Sequence, residues 1–224
     1  MERLRPDQLE VIRSRAPVAY IPWGAIEWHS YHDPVGLDGI QALGQARALC
    51  EATGGVVLPP IYVGTDTIKT GLPFGETLEH AADTVEILAS EFLQQLHDER
   101  WRVVVIVSGH CGGGHIEALG RAVYSFNARG LETRAVLIPS FQPIQAEYPS
   151  NHAARGETSF QLLFDPESVA LELLPSDRVA TLEDDGVWGD DPRNATAAEG
   201  AQMLALFVER AAPAIRDLLE KTHP

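Results

Sequence analysis

Carboxylate and imidazole side chains are concentrated near residue 30. Glu27 and His29 are two residues apart, so in an extended segment they face the same side. His32 and Asp38 follow within ten residues. Carboxylates and neutral imidazoles are the ligands that suit zinc, manganese or iron, so we expect a metal site here. Two alternatives stay open: Asp38 precedes Gly39 and could cap a helix, and His32 could be a structural loop histidine.

A second segment, residues 108–115, reads S-G-H-C-G-G-G-H. His110 follows a predicted strand and is well placed to be a ligand. The glycines could instead form a turn that binds an anion at a helix N-terminus, but the Lys and Ser/Thr of a phosphate loop are missing. Cys111 could act as a nucleophile, although we favour a packed small residue. His115 falls inside the next helix. We expect its side chain to lie behind the ligands or on the surface, and not to be a ligand itself.

The third segment, residues 152–159, reads H-A-A-R-G-E-T-S. His152 has the right chemistry for general acid or base catalysis near neutral pH. Glu157 begins a predicted helix, where a carboxylate is favoured electrostatically whether or not it binds a ligand. Both residues are candidates for catalysis.

Taken together, these segments resemble the creatininase family of amidohydrolases. Residues 24–38 read G-A-I-E-W-H-S-Y-H-D-P-V-G-L-D, close to the family pattern G-x-x-E-x-H-G-x-H-L-P-x-x-x-D. The family's G-H-G-G-N turn is similar to residues 109–113, and its H-A-G-x-x-E-T-S segment to residues 152–159. A late G-V-x-G-D-P loop has its counterpart at residues 186–192. The resemblance spans nearly the whole chain in order.

This resemblance implies a metal centre with two divalent ions per subunit, of zinc, manganese or iron. The ligands would be Glu27, His29, Asp38 and His110, with Asp38 bridging the two ions. Glu157 matches the acidic position that can complete the shell of the second ion. The resemblance also implies that a metal-activated water attacks the substrate. His152 would then carry protons to the departing nitrogen.

The sequence departs from the family pattern at several positions. Ser30 replaces a glycine, Asp33 a leucine and Gly113 an asparagine. Creatininase itself has a glutamate for the second ion where this chain has Gly112. The family's F-P-G-T stretch is replaced by L-P-F-G-E-T at residues 72–77. These changes leave the hydrolytic machinery in place and argue against creatinine as the substrate.

The elements that must position these segments alternate between strands and helices. Apolar runs predict strands at 17–23, 56–58, 103–107 and 134–138. Helical spacing predicts helices at 39–53, 84–96, 116–127 and 196–219, and one that begins over 158–164. We expect an α/β fold with three αβα layers and a mostly parallel central sheet, in one domain over residues 1–224. Ligands of such sheets bind beyond the carboxyl ends of the strands, where the three segments would meet.

Composition narrows the class of partner. The 224 residues carry a formal net charge of −15 without a basic stripe, which disfavours nucleic acids and anionic membranes. The N-terminus lacks the apolar segment of a signal peptide, and the apolar run 103–107 is too short to span a bilayer. With two cysteines, a disulfide scaffold is implausible, so we expect a soluble, cytoplasmic protein. The family resemblance implies a ring-like homo-oligomer, such as a hexamer.

The main hypothesis is hydrolysis of a non-peptide C–N bond in a small molecule, such as a cyclic amide, lactam or formamide. The alternative enzyme is a peptidase that trims a modified peptide, since the family also contains such a member. A rival of another class is a protein on the same fold that binds a metal or ligand without turnover. The sequence does not separate these three.

Overall fold

A five-stranded parallel sheet forms the centre of the computed structural model, which describes residues 1–222. Four strands lie in the order β2, β1, β4, β5, and β3 pairs with β1 beyond the end of β2. The strands are β1 (Val18–Gly24), β2 (Val56–Val57), β3 (Ile61–Tyr62), β4 (Val103–Ser108) and β5 (Arg134–Pro139). Every pairing is parallel, with Val18 opposite Val103 and Val103 opposite Arg134.

Helices cover both faces of this sheet. Helices α2, α5 and α7 pack on one face and α3 and α4 on the other, around two separate apolar cores. The helices are α1 (Pro6–Arg15), α2 (Leu37–Thr53), α3 (Ala82–Asp98), α4 (Gly113–Ala128), α5 (Arg155–Phe164), α6 (Leu182–Asp185) and α7 (Ala197–Thr222). Five short 3-10 helices lie in the described part, at Ile68–Thr70, Gln142–Ile144, Pro166–Ser168, Leu171–Leu173 and Pro192–Asn194. The expected three-layer αβα arrangement is confirmed.

The two central strands are buried on both faces. Every residue of β1 and β4 is buried, as expected for parallel strands between two helical layers. This is why β4 appears in the sequence as an unbroken Val/Ile run rather than an alternating one. In residues 1–222, no helix is both long and apolar enough to cross a membrane.

The predicted elements are present, and three further ones were missed. Helix α1 has no fully buried residue and packs on the core only through Leu9 and Ile12, too few apolar residues to predict a helix from periodicity. Strand β3 and helix α6 are too short, at two and four residues, to leave a pattern. The segment 184–194 contains the end of α6 and a 3-10 turn.

The proposed capping role of Asp38 is wrong. Helix α2 begins at Leu37 after Gly36, which places Asp38 inside the first turn of the helix. Its Oδ2 accepts a hydrogen bond from the Ala25 N–H at 3.3 Å, across to the segment after β1. The carboxylate therefore points at the strand ends rather than closing its own helix.

Glycines allow the first turn of α2 to touch the strand ends directly. A Cβ on Gly109 would lie 1.9 Å from the Asp38 carbonyl oxygen, and one on Gly24 would lie 2.3 Å from the Gly39 nitrogen. A side chain at either position would push α2 away from the sheet. The close backbone approach therefore fixes where the Asp38 carboxylate lies.

We predict that Gly109→Ala destabilises the protein, because the new methyl group has backbone rather than a flexible side chain against it. The expected loss is about 3 kcal/mol in the free energy of unfolding, as for overpacked cores. Gly120→Ala, in α4, is the matched control, since nothing lies within 4 Å of its added Cβ. It should leave stability unchanged or raise it by up to about 1 kcal/mol. Urea unfolding measures both, and equal stabilities for the two variants would contradict the close contact.

Candidate metal centre

The three polar segments meet at the carboxyl edge of the sheet. Glu27 and His29 follow β1, and His110 follows β4. Asp38 and Glu157 lie in the first turns of α2 and α5. All five side chains are buried. The topology thus brings together residues up to 130 positions apart, which the sequence could only suggest.

Asp38 lies between two imidazoles. Its Oδ1 is 3.4 Å from His29 Nε2, and its Oδ2 is 3.4 Å from His110 Nδ1. Beyond the imidazoles, Glu27 Oε2 lies 2.9 Å from His110 Nδ1 and Glu157 Oε2 lies 3.6 Å from His29 Nε2. Each half of the arrangement therefore holds one imidazole between two carboxylates, and Asp38 belongs to both halves.

The ligand atoms are close enough together to bind metal ions. Each of the two halves forms a group whose ligand atoms all lie within 4.8 Å of one another, and both groups contain Asp38. A third group of this kind joins Glu27, His29 and His152. The geometry has the form expected for two ions that share one bridging carboxylate.

Backbone carbonyl groups determine which nitrogen of each imidazole is free. His29 Nδ1 lies 3.0 Å from the Glu27 carbonyl oxygen, and His110 Nε2 lies 3.1 Å from that of Thr65. A carbonyl oxygen only accepts, so these nitrogens carry the protons and donate. His29 Nε2 and His110 Nδ1, which face the carboxylates, are therefore left as lone-pair donors for a metal.

The electrostatics show that this cluster requires positive charge. Burial alone lowers the pKa of His29, but the carboxylates of Asp38 and Glu157 outweigh it and raise this pKa to about 10. Burial alone raises the pKa of Asp38, but His29 and His110 hold it well below its usual value. Burial raises the pKa of Glu157 to about 8, against the opposing effect of His29. Without metal, protons on the imidazoles and on Glu157 itself reduce the negative charge of the cluster.

Divalent cations fit the same site. Glu27 Oε2 and His29 Nε2 are buried and face other groups of the cluster, Oε2 at 2.9 Å from His110 Nδ1 and Nε2 at 3.4 Å from Asp38 Oδ1. Both atoms point into the cluster, where a metal ion would bind them. Two imidazoles and three carboxylates are a suitable ligand set for zinc or manganese.

His152 lies beside the cluster and lines the cavity above it. Its ring is 4.4 Å from that of His29, centroid to centroid. Its Nε2 lies 2.8 Å from the Trp28 carbonyl oxygen, so this nitrogen donates and Nδ1 is left as an acceptor. Burial and the neighbouring His29 lower its pKa to about 4, which keeps the ring neutral at pH 7.

Two other candidates have roles outside the ligand set. The Cys111 thiol points to the Gly109 carbonyl oxygen, and burial with the nearby Glu157 carboxylate raises its pKa to about 12. A thiol so hard to ionise is a poor nucleophile, as expected for a packed residue. His115 is buried with its ring 4.9 Å from that of His110, so it lies behind a ligand rather than on the surface.

His32 does not reach the metal cluster. Its Nε2 lies 3.1 Å from Thr158 Oγ1 and 3.2 Å from Asp33 Oδ2, and Thr158 donates to the same Asp33 oxygen at 2.7 Å. This buried network ties the segment after β1 to helix α5. The structural interpretation of His32 thus fits the structure, and Asp33, which stands where the family has leucine, supplies a partner.

The loop after β3 completes the site and was not anticipated from the sequence. It supplies the Thr65 carbonyl oxygen to His110 and the Ile68 N–H to Glu27 Oε1. Glu79 holds this loop in place by accepting hydrogen bonds from the N–H groups of Asp66 and Thr67. Because backbone groups make these contacts, the residue types in the loop do not predict them.

The same loop explains Gly112. A Cβ there would lie 2.3 Å from the Asp66 carbonyl oxygen and 2.8 Å from His110 Nε2. No larger side chain fits unless the loop moves.

Ser30, which replaces a family glycine, has a left-handed backbone with φ of 59°, the conformation that glycine adopts most easily.

A cavity of about 310 Å³ lies above the cluster. Its floor includes Glu27, His110 and Glu157. Its walls and rim are formed by Asp66, Thr67, Ile68, Cys111, Gly112, Ser150, Asn151, His152, Leu182 and Trp188. A second cavity of about 210 Å³ shares Ser150 and Asn151 with the first. Glu27, His110 and Glu157 of the cluster therefore line a cavity of small-molecule size.

Comparisons with known proteins agree with this arrangement. The sequence model of the creatininase family, described as creatinine amidohydrolase, matches residues 2–215. A mycofactocin precursor peptide peptidase of Mycolicibacterium smegmatis is 30% identical, over 92% of this chain and 87% of its own. A creatinine amidohydrolase of Pseudomonas putida is 22% identical, with 89% of each chain covered.

Solved structures show the same fold. A mutant creatininase of Zn-Zn type superposes with a TM-score of 0.80 at 21% identity, over 100% of this chain and 98% of that one. A creatininase described as the Mn form superposes with a TM-score of 0.77 at 21% identity and the same coverage.

We predict that Asp38→Asn loses both metal ions, whereas Glu157→Gln loses mainly one. In two-metal sites the ions lie about 3.5–4 Å apart, and a bridging carboxylate offsets their repulsion. A neutral amide leaves one weaker oxygen donor and restores the repulsion, so one ion leaves and the other, left with an incomplete shell, is lost as well. Glu157 lies in only one half of the cluster.

Metal content per subunit, measured by elemental analysis after dialysis, tests this prediction. Asp98→Asn is the matched control, because Asp98 is exposed at the end of α3. It should retain the metal content of the unmodified protein. An Asp38→Asn protein with unchanged metal content would mean that the site has been misassigned.

Proposed function

This chain belongs to the creatininase family of hydrolases, and we propose that it hydrolyses an amide C–N bond with divalent metal ions in the cluster around Asp38. The observation that carries the proposal is the pair of carboxylate–imidazole groups that share Asp38 at the base of an open cavity. A structural role alone would not require three buried acidic side chains around two buried imidazoles.

The residues divide between two metal positions. Glu27, Asp38 and His110 would hold one ion, and His29, Asp38 and Glu157 the other. Zinc and manganese are the proposed metals, which suit this ligand set and occur in the descriptions of the structural neighbours. When bound, such ions lower the pKa of water and polarise a carbonyl oxygen, which are the two demands of amide hydrolysis.

His152 would transfer the proton from the attacking water to the departing nitrogen. Its neutral ring has Nδ1 free as an acceptor, while Nε2 is held by the Trp28 carbonyl oxygen. In hydrolysis, the attacking water gives up a proton and the departing nitrogen must gain one before the C–N bond breaks. His152 lines the cavity and can accept the first proton and return it to the nitrogen. Glu157, which lines the same cavity, would act as a ligand and is the second candidate proton carrier.

A small non-peptide amide is the first candidate substrate. The cavity of about 310 Å³ is at the lower end of the range for small-molecule sites. A lactam, a cyclic amide or a formamide would place its carbonyl group over the cluster and fill much of this volume. The creatinine amidohydrolase relative acts, by its name, on a small ring of this kind.

A short peptide is the second candidate. The relatives that are 30% and 32% identical are named as peptidases of a precursor peptide, and they are more similar to this chain than the creatinine amidohydrolase is. The adjoining cavity of about 210 Å³ gives an extended substrate room past Ser150 and Asn151. Cleavage of a terminal peptide bond would use the same cluster.

Removal of the metal should abolish activity, and its return should restore it. The experiment measures turnover of a panel of lactams, formamides and short peptides by purified protein before and after chelation. Zinc or manganese is then added back. Turnover by a metal-free preparation would contradict the proposal, and tight metal binding without turnover of any compound would identify a binding protein. The compound that is turned over decides between the two candidate substrates.

We predict that His152→Ala lowers kcat by about 100-fold or more, the usual contribution of a general acid–base group. Cys111→Ser is the matched control, because it changes another residue that lines the same cavity. With the pKa of its thiol raised to about 12, Cys111 is not a nucleophile at neutral pH, so kcat should stay within a few-fold. Steady-state kinetics on metal-loaded protein give both values. Loss of activity in Cys111→Ser alone would assign the chemistry to the thiol.

A further inference from the structure

Trp188 lies at the rim of the cavity with 55% of its surface exposed. We propose that Trp188 is a specificity-determining residue that binds a neutral, flat apolar group on the leaving-amine side of the substrate. This inference rests on the proposed amide hydrolysis and names the class of amide. Exposure alone would not support it, since single exposed apolar residues are common on protein surfaces.

The position of Trp188 relative to the catalytic residue is fixed by the backbone. The His152 N–H donates to the Trp188 carbonyl oxygen at 2.8 Å, and the Trp188 N–H donates to the His152 carbonyl oxygen at 2.8 Å. These two bonds form an antiparallel bridge between distant segments. Gly189, with φ of 130°, lets the chain pass close to Asn151, against which an added Cβ would lie at 2.9 Å. Trp188 is thus held beside His152 by main-chain contacts on both sides.

The surroundings of the indole indicate what it binds. Ile68 and Leu182 line the same cavity and give it apolar surface besides the indole, whereas the floor consists of carboxylates and imidazoles. Among the described residues that line this cavity there is no lysine or arginine. The cavity therefore has a polar floor and an apolar wall. It suits a substrate that places a polar amide over the cluster and an uncharged apolar group against Trp188. Within this cavity a carboxylate on that group would meet no cationic side chain, and Arg155 in the adjoining cavity is already paired with Glu199.

The leaving-amine side follows from the bridge to His152. His152 gives its proton to the departing nitrogen in the proposed reaction, so the nitrogen lies next to His152. The substituent on that nitrogen then lies toward the residue paired with His152, which is Trp188. Stacking of an aromatic ring on an indole contributes about 0.5–1.5 kcal/mol beyond the burial of area, so aromatic substituents should bind best.

The experiment compares N-benzylacetamide with N-methylacetamide, which share the amide and differ only in the group on nitrogen. Binding to metal-loaded protein is measured by calorimetry, and KM and kcat are measured wherever turnover occurs. We expect the benzyl compound to bind about tenfold more tightly. Trp188→Ala should remove this difference by weakening only the benzyl compound, through KM, with kcat within about threefold. Trp188→Phe should retain most of the difference.

Tyr124→Ala is the matched control, because Tyr124 is exposed on α4 and does not line the cavity. It should bind both amides as the unmodified protein does. Benzyl-selective binding that depends on Trp188 supports the inference even if neither amide is hydrolysed, in which case the proposed reaction fails separately. Equal binding of the two amides, no detectable binding of either, or selectivity that survives Trp188→Ala overturns the inference, whether or not amides are hydrolysed.

Discussion

The contact between the first turn of α2 and the ends of β1 and β4 is the constraint on which the site depends. It places the Asp38 carboxylate, inside the protein, between His29 and His110. The contact is possible because Gly24 and Gly109 have no side chain at the points where the backbones meet. Every other ligand is arranged around this one carboxylate. The packing of the sheet edge therefore sets the distance between the two halves of the cluster.

Electrostatics connect this packing to function. Three carboxylates in an interior are unfavourable unless cations compensate them, and the two imidazoles supply at most part of that charge. The backbone carbonyl groups of Glu27 and Thr65 keep one nitrogen of each imidazole free for a metal. Binding of divalent ions would displace protons from the imidazoles and from Glu157. The close approach of the acidic side chains, which is unfavourable without a cation, would then stabilise the bound ions.

The rim of the cavity is built differently from its floor. The floor consists of residues whose types are characteristic of the family, held from α2, α5 and the ends of β1 and β4. The rim comes mainly from the loop after β3, through Asp66, Thr67 and Ile68, and from the loop that carries Trp188. The main-chain bridge between His152 and Trp188 joins rim and floor. It therefore fixes the position of the rim relative to the proposed proton carrier.

The sequence was sufficient to predict the alternation of strands and helices, the three polar segments and the residue types of the candidate ligands. It could do so because buried strands leave unbroken apolar runs, as in β4, and because metal chemistry demands particular side chains. The three-dimensional arrangement was needed to show that Asp38 lies between two imidazoles rather than capping α2, and that His32 belongs to a separate network with Asp33. It also revealed α1, the loop held by Glu79 and the bridge that sets Trp188 beside His152. These features depend on contacts between distant segments, several of them through backbone groups that every residue carries, so the sequence holds no local signal for them.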